Sequence, residues 1–334
     1  MVAQTARLGR NLALIFLSSF LIVIFMNPEV IRNLPEVRTG SVQTFKTMFV
    51  SIVLEAFPFI LLGVLLSSVL QVFVPDRVVQ KMIPRNPFLG VIVSCLLGVV
   101  FPICECGMIP VARRLIKKGF PLYAAVVFLL AGPILNPVVF ASTYMAFRAR
   151  PEVLYSRMGL AFAVAAAVGL LVYFLVKKDP LKPVSSHHHV HRQDHRHAGN
   201  ENRLLSTFEH ASGEFFDMGK YLVFGALITA GVQTFLDRGS LVSIASSEWV
   251  STWFMMGLAY ILSICSTSDA FVASSFGTTF PAASLVAFLV FGPMIDAKST
   301  LMMLAVFRRR FVASVAILVF VFVTVGVFLI DKSI

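Results

Sequence analysis

Residues 120–143, "FPLYAAVVFLLAGPILNPVVFAST", lie over residues 280–303, "FPAASLVAFLVFGPMIDAKSTLMM", at an offset of 160. The superposition brings Phe128 onto Phe288, Leu129 onto Leu289, Gly132-Pro133 onto Gly292-Pro293 and Asn136 onto Asp296. Apolar stretches resemble one another by chance, but aligned Gly-Pro and Asn/Asp positions are harder to produce that way. Upstream, "EAFPFILLGVLLSSVLQVF" from Glu55 matches "DMGKYLVFGALITAGVQTF" from Asp217, with Glu55 over Asp217, Gly63 over Gly225 and Gln71 over Gln233. Between these, "PICECG" lies over "SICSTS", which puts Cys104 on Cys265. The pattern predicts two internal repeats, a common way of building transporters.

Composition places both repeats in a bilayer. Of 334 residues, 57% are hydrophobic and 13% charged, and the mean hydropathy is +0.85. Soluble domains carry about 25% charged residues. Phe311–Ile330 has no charge over 20 residues, enough to cross a hydrocarbon core of about 30 Å. The expected class is an all-α polytopic membrane protein of the cell (inner) membrane. The net charge of +11 then belongs to inward-facing loops that meet anionic lipid, as in "RRLIKKG" at 113–119, and not to a nucleic-acid interface. The four cysteines lie in or beside apolar segments and form no extracellular disulfide framework. The basic start and apolar run of residues 1–29 resemble a signal peptide without a small-x-small cleavage site, and read as a retained first helix.

Hydropathy marks eight or nine segments, near 11–27, 47–74, 88–108, 120–147, 153–176, 214–236, 250–272, 280–306 and 311–330. The expected organisation is an N-terminal helix and connector (1–46), a first membrane repeat (47–176), a His-rich cytoplasmic loop (177–213) and a second repeat (214–334). If all nine segments cross, more Lys and Arg fall outside than inside. If segments three and seven enter and return on one side, the excess moves inside, each repeat has three crossings, and the repeats are inverted. Pro102, Gly107 and Pro110 favour such a broken segment three, and non-helical backbone at membrane depth requires shelter by protein or a water-filled cavity.

The chemistry-bearing groups cluster at these breaks. Charged residues at membrane depth cost about 2.5–3.5 kcal/mol on insertion scales and so tend to be functional. In the inverted arrangement "CECG" meets "SICSTSDAF" near the midplane. Cys104, Cys106 and Cys265 then offer soft sulfurs suited to a thiophilic ligand, with Glu105 and Asp269 beside them and Ser266, Thr267 and Ser268 leaving room. Small residues at helix contacts are the plainer reading, and Cys95 is read as packing alone. Asn136, Asp296 and Lys298 are expected to line the unwound Gly-Pro stretches, where Asp296 and Lys298 could pair; a proline kink with a structural ion pair is the alternative. Glu55 and Asp217, carboxylates near the starts of long segments, are candidates for proton coupling, with Lys220 one turn after Asp217 able to neutralise it. His187, His188, His189, His191, His195 and His197 could gather divalent transition-metal ions, or form a low-complexity spacer. No phosphate loop, nucleotide fingerprint or hydrolytic triad is present, and no cofactor is expected.

At these residues the sequence resembles the ArsP-type predicted permease family. The resemblance rests on "EAFPFILLGVLLSSVLQVFVP", "FPICECGMIPVARRLIKKGFP" and "FLLAGPILNPVVFAST" in that order, and on "SICSTSDAF" and "FGPMIDAKSTLMM" in the second half, covering roughly 45–330. It implies an inner-membrane permease, and some members export trivalent organoarsenicals. The leading function is a secondary permease exporting a small thiophilic solute. The alternatives are a divalent-metal transporter, a membrane thiol oxidoreductase using Cys104 and Cys106, and a structural subunit of a larger membrane complex. Cys-x-Cys is not the Cys-x-x-Cys spacing of thioredoxin-like redox sites. The expected partners are the bilayer, a small-molecule or ion substrate, and either further copies of the chain or an accessory membrane subunit.

Overall fold

The computed structural model describes residues 39–73, 75–82, 84, 86–100, 104–176, 180–181, 200–235, 248–277 and 279–331. All regular elements among them are helices. The first seven are α1 (Thr39–Phe73), α2 (Asp76–Met82), α3 (Pro87–Val100), α4 (Glu105–Lys117), α5 (Leu122–Ala131), α6 (Pro137–Ala146) and α7 (Pro151–Leu175). Then come α8 (Asn200–Phe235), α9 (Glu248–Leu262), α10 (Asp269–Ser275), α11 (Ala282–Met294), α12 (Ala297–Val306) and α13 (Arg309–Asp331). The expected first helix at 11–27 and the six histidines, His187, His188, His189, His191, His195 and His197, lie outside the described residues. Helix α8 begins at Asn200, so the last part of the interval 177–213, read as a loop, is helical.

Four stretches are long and apolar enough to cross a membrane: Val42–Leu70, Pro151–Leu175, Ala282–Val306 and Arg309–Asp331. Shorter apolar helices accompany them at Pro87–Val100, Leu122–Ala131, Pro137–Ala146 and Trp249–Leu262. Helices α5 and α11 are apolar on every face and almost wholly buried, as helices at a bundle centre must be. The outer helices expose Leu54, Leu62, Tyr155, Phe162, Ile317 and Val321; an apolar surface this extensive is lipid-facing. This is a multi-pass membrane protein.

Local chemistry sets the breaks between helices. Helix α4 ends in a Schellman motif: Phe120 N–H donates to the Leu115 carbonyl and Gly119 N–H to the Ile116 carbonyl, both at 3.0 Å. The motif needs a left-handed residue, and Gly119 supplies it at φ 95. Pro121 then stands just before α5, as Pro281 does before α11, and Pro137 and Pro151 open α6 and α7 with their missing N–H where no helical bond is lost. Of the expected interrupters of segment three, Pro102 lies outside the described residues. Gly107 and Pro110 lie inside α4, because a proline in the second turn of a helix displaces few of its bonds. The non-helical run 263–268 separates α9 from α10.

Helix α1 packs along α8 and against α4, while α8 packs against α12. Helix α3 packs on α5 as α9 does on α11, and α5 on α7 as α11 does on α13. Among the contacts between the early and late parts of the chain are α4 with α12 and α10 with α6. These crossings carry the polar residues.

Candidate functional site

The two cysteine motifs each open a helix on a carboxylate. Cys104, in extended backbone, caps α4 and Glu105 is its first residue; Ser268 precedes α10 and Asp269 is its first residue. A carboxylate in the first turn lies at the positive end of the helix dipole. Both are buried, and each takes its cation from the opposite part of the chain. Glu105 Oε1 lies 3.5 Å from Lys298 Nζ on α12. Asp269 Oδ2 lies 2.7 Å from Arg157 Nη2 on α7.

The two ion pairs are built differently. Arg157 is fully buried; it donates through Nη1 to Thr143 Oγ1 on α6 at 2.7 Å and through Nη2 to the Ser266 carbonyl at 3.2 Å. That is a braced guanidinium, suited to structure. Lys298 holds Glu105 at long range and donates to the Ser263 carbonyl at 3.5 Å. Each carboxylate keeps one buried oxygen, Glu105 Oε2 and Asp269 Oδ1, without a hydrogen-bond partner.

All four cysteines are free and buried. The Cys104 and Cys106 thiols flank Glu105 at the start of α4 and lie close enough to interact. Lys298 acts electrostatically on both of them, and Glu105 on Cys106 and Cys265. Cys265 Sγ accepts from Thr267 Oγ1 at 3.6 Å. Among the described residues no three His, Cys, Asp or Glu side chains are grouped so as to hold a metal ion. Cys104 and Cys106 therefore form a pair at the start of α4, and the described residues hold no preformed metal cage. Cys95 is buried on α3, in keeping with packing.

The run 263–268 is sheltered as backbone at membrane depth must be. Gln233 Nε2 donates to the Leu262 carbonyl at 2.5 Å, Lys298 to Ser263 and Arg157 to Ser266. Ser263 takes a left-handed conformation, φ 46, just past the end of α9. Ser266 is buried, Thr267 half-buried and Ser268 exposed.

Asn136 and Asp296 occupy matching places as helix caps. Asn136 Oδ1 accepts from Val139 N–H at 2.9 Å, and its amide donates to the Gly132 and Pro133 carbonyls, both at 3.3 Å. Asp296 Oδ1 accepts from Ser299 N–H, and Ser299 Oγ accepts from Asp296 N–H, closing a capping box. Lys298 reaches across to Glu105, so the expected pairing of Asp296 with Lys298 gives way to a cap and an inter-helix ion pair. Glu55 is exposed on α1 while its charge acts on Cys265. Asp217 falls within α8, and its side chain lies outside the described residues.

Sequence reading missed Arg157, Thr143 and Ser263. Arg157 was legible: a single arginine within the apolar run 153–176 is costly at that depth and calls for a partner. Thr143 and Ser263 carry no such signal, because hydroxyls pack commonly between membrane helices.

The chain was compared with known proteins. Over 281 residues it is 46% identical to UPF0718 protein YcgR of Bacillus subtilis (strain 168), covering 84% of this chain and 94% of that protein. Over 273 residues it is 37% identical to a Streptococcus mutans protein named "Putative two-component membrane permease complex subunit", covering 82% and 90%. No solved structure matches the chain. The model of the ArsP_1 family, described as predicted permease, matches residues 41–332. With membrane-spanning helices, two broken segments and buried charge at their crossings, the chain belongs to the ArsP_1 family of predicted permeases.

Proposed function

We propose that the chain is a secondary permease that exports a small thiophilic solute of the trivalent organoarsenical class, with Cys104 and Cys106 as its soft ligands. The observation that carries this reading is the thiol pair, buried beside the Glu105–Lys298 ion pair where α4 crosses α12. Two adjacent thiols chelate a trivalent soft centre better than one, and a buried charged pair at membrane depth is costly unless it serves a task.

Alternating access between two inverted repeats is the proposed mechanism. Its support lies in the order of elements: α3, α5, α6 and α7 start 161, 160, 160 and 158 residues before α9, α11, α12 and α13. Contacts recur in the same order within each half, and α4 with α12 mirrors α10 with α6. Glu55, exposed on α1 and acting electrostatically on Cys265, is the candidate for proton coupling. The printed name of the Streptococcus mutans relative supports an accessory membrane subunit for this chain as well.

The test is uptake of methylarsenite into everted membrane vesicles, comparing wild type with Cys104→Ser/Cys106→Ser. Accumulation that the double substitution abolishes supports the reading. Accumulation unaffected by it, or absent from wild type, overturns the arsenical assignment.

A further inference from the structure

We infer that Glu105 is the proton acceptor that makes thiol exchange at Cys104 and Cys106 reversible, with Lys298 as its positioning residue. This rests on the thiophilic-permease reading and addresses its chemical difficulty. Sulfur bonds to a trivalent soft centre are strong, whereas a permease must form them on one side and break them on the other.

The geometry supplies the needed group. Glu105 stands between the two cysteines in sequence and opens the helix that Cys104 caps. One oxygen is held by Lys298 at 3.5 Å. The other, Oε2, is buried with no hydrogen-bond partner. A buried acceptor left open is costly, so its retention beside two thiols points to a partner that arrives with the substrate. Asp269 has a comparable open oxygen, but its guanidinium partner is braced at 2.7 Å on two sides and by the Ser266 carbonyl. Glu105 is the less constrained carboxylate, and its charge acts on both Cys106 and Cys265.

The steps balance without a change of oxidation state. Cys106 Sγ–H gives its proton to Glu105 Oε2, and the sulfur bonds to the trivalent centre as a hydroxyl leaves. The hydroxyl takes the proton back from Glu105 and departs as water. Cys104 repeats the sequence, so a dihydroxy substrate becomes a dithiolate with release of two waters. Running backwards, two waters enter, the thiols recover their protons through Glu105, and the solute is freed. Lys298 keeps the carboxylate in place and balances its charge between transfers.

A group that catalyses exchange speeds association and dissociation alike and leaves the equilibrium alone. The full-length protein in lipid nanodiscs is mixed with a fluorescent aryl arsenite, and both rate constants and the Kd are measured. Glu105→Gln is expected to slow both rates about 10²-fold or more with the Kd little changed, and Glu105→Asp to recover part of the loss. The double variant Glu105→Gln/Lys298→Met, which leaves no unpaired cation, is expected to be equally slow. Unchanged rates in Glu105→Gln, or a shifted Kd with one rate altered, overturn the inference while leaving the thiol site standing. Absence of binding to wild type, where Cys104→Ser/Cys106→Ser behaves the same, overturns the thiophilic reading and this inference with it.

Discussion

Glu105 and Lys298 meet at 3.5 Å in a buried ion pair that ties the first turn of α4 to the first turn of α12. It has a counterpart in Asp269 and Arg157, 2.7 Å apart, which tie the first turn of α10 to α7. In each pair the acid opens a motif helix and the base comes from the opposite part of the chain. The first pair is long and lies on the helix that carries Cys106; the second is short and braced. On the proposed function the first pair belongs to the transport site and the second to the structural side of the polar interior.

The structural side makes a stability prediction. Arg157→Met strands the buried Asp269 carboxylate and is expected to cost about 3–5 kcal/mol, whereas Arg157→Met/Asp269→Leu removes both charges and recovers most of it. Equilibrium unfolding in detergent micelles measures both. A double variant as unstable as the single one would show that packing around Arg157, and not its charge, does the holding.

Lys298 should behave differently. Its contacts are longer and fewer, so Lys298→Met is expected to lower unfolding stability less than Arg157→Met does. The same substitution is expected to reduce methylarsenite uptake strongly, since it frees Glu105 from its position beside the thiols. Full uptake in Lys298→Met would remove the pair from the transport path.

The cap assignments are separable from substrate binding. Asp296→Ala removes a capping-box acceptor and is expected to cost about 1 kcal/mol, while Asp296→Asn keeps the acceptor and stays close to wild type. Uptake should follow stability across the two variants. Loss of uptake in a stable Asp296→Asn would mean that the charge itself meets the solute.

Close backbone approach makes the fourth prediction. A Cβ at Gly63 on α1 would overlap the backbone of Gly107 on α4. Gly63→Ala is therefore expected to cost about 1–3 kcal/mol through overpacking. Gly159 in α7 has no heavy atom near its Cβ position, so Gly159→Ala should be neutral or stabilising, as alanine is the better helix former. The two substitutions compared by thermal unfolding test the α1–α4 crossing directly.

Much of this interior was legible from residues alone. Hydropathy placed the long spans, because lipid enforces uninterrupted apolar helix wherever a segment faces it; the Gly132-Pro133 break falls between α5 and α6 as expected, whereas Gly292-Pro293 lies inside α11, which ends at Met294. The caps at Asn136 and Asp296 were singled out but read as site-lining, since a capping side chain and a ligand-binding one look alike before the helix start is known. The partners were not legible. Nothing in the spacing of Glu105 and Lys298, or of Asp269 and Arg157, says that they meet, because each pair is brought together by helix crossings between distant parts of the chain. The positions of the two acids also differ from the motif superposition, which lays Glu105 over Ser266; helix starts, and not sequence offset, make Glu105 and Asp269 counterparts.

The most direct test of the account is two-sided labelling of Cys106. A variant with Cys95, Cys104 and Cys265 changed to Ser leaves Cys106 as the single thiol, and a membrane-impermeant trimethylammonium thiosulfonate is applied to right-side-out and to everted vesicles. A permease whose site opens alternately to each face predicts modification of Cys106 in both preparations. Modification from one face only, or from neither, would contradict the placement of these thiols in a path across the membrane.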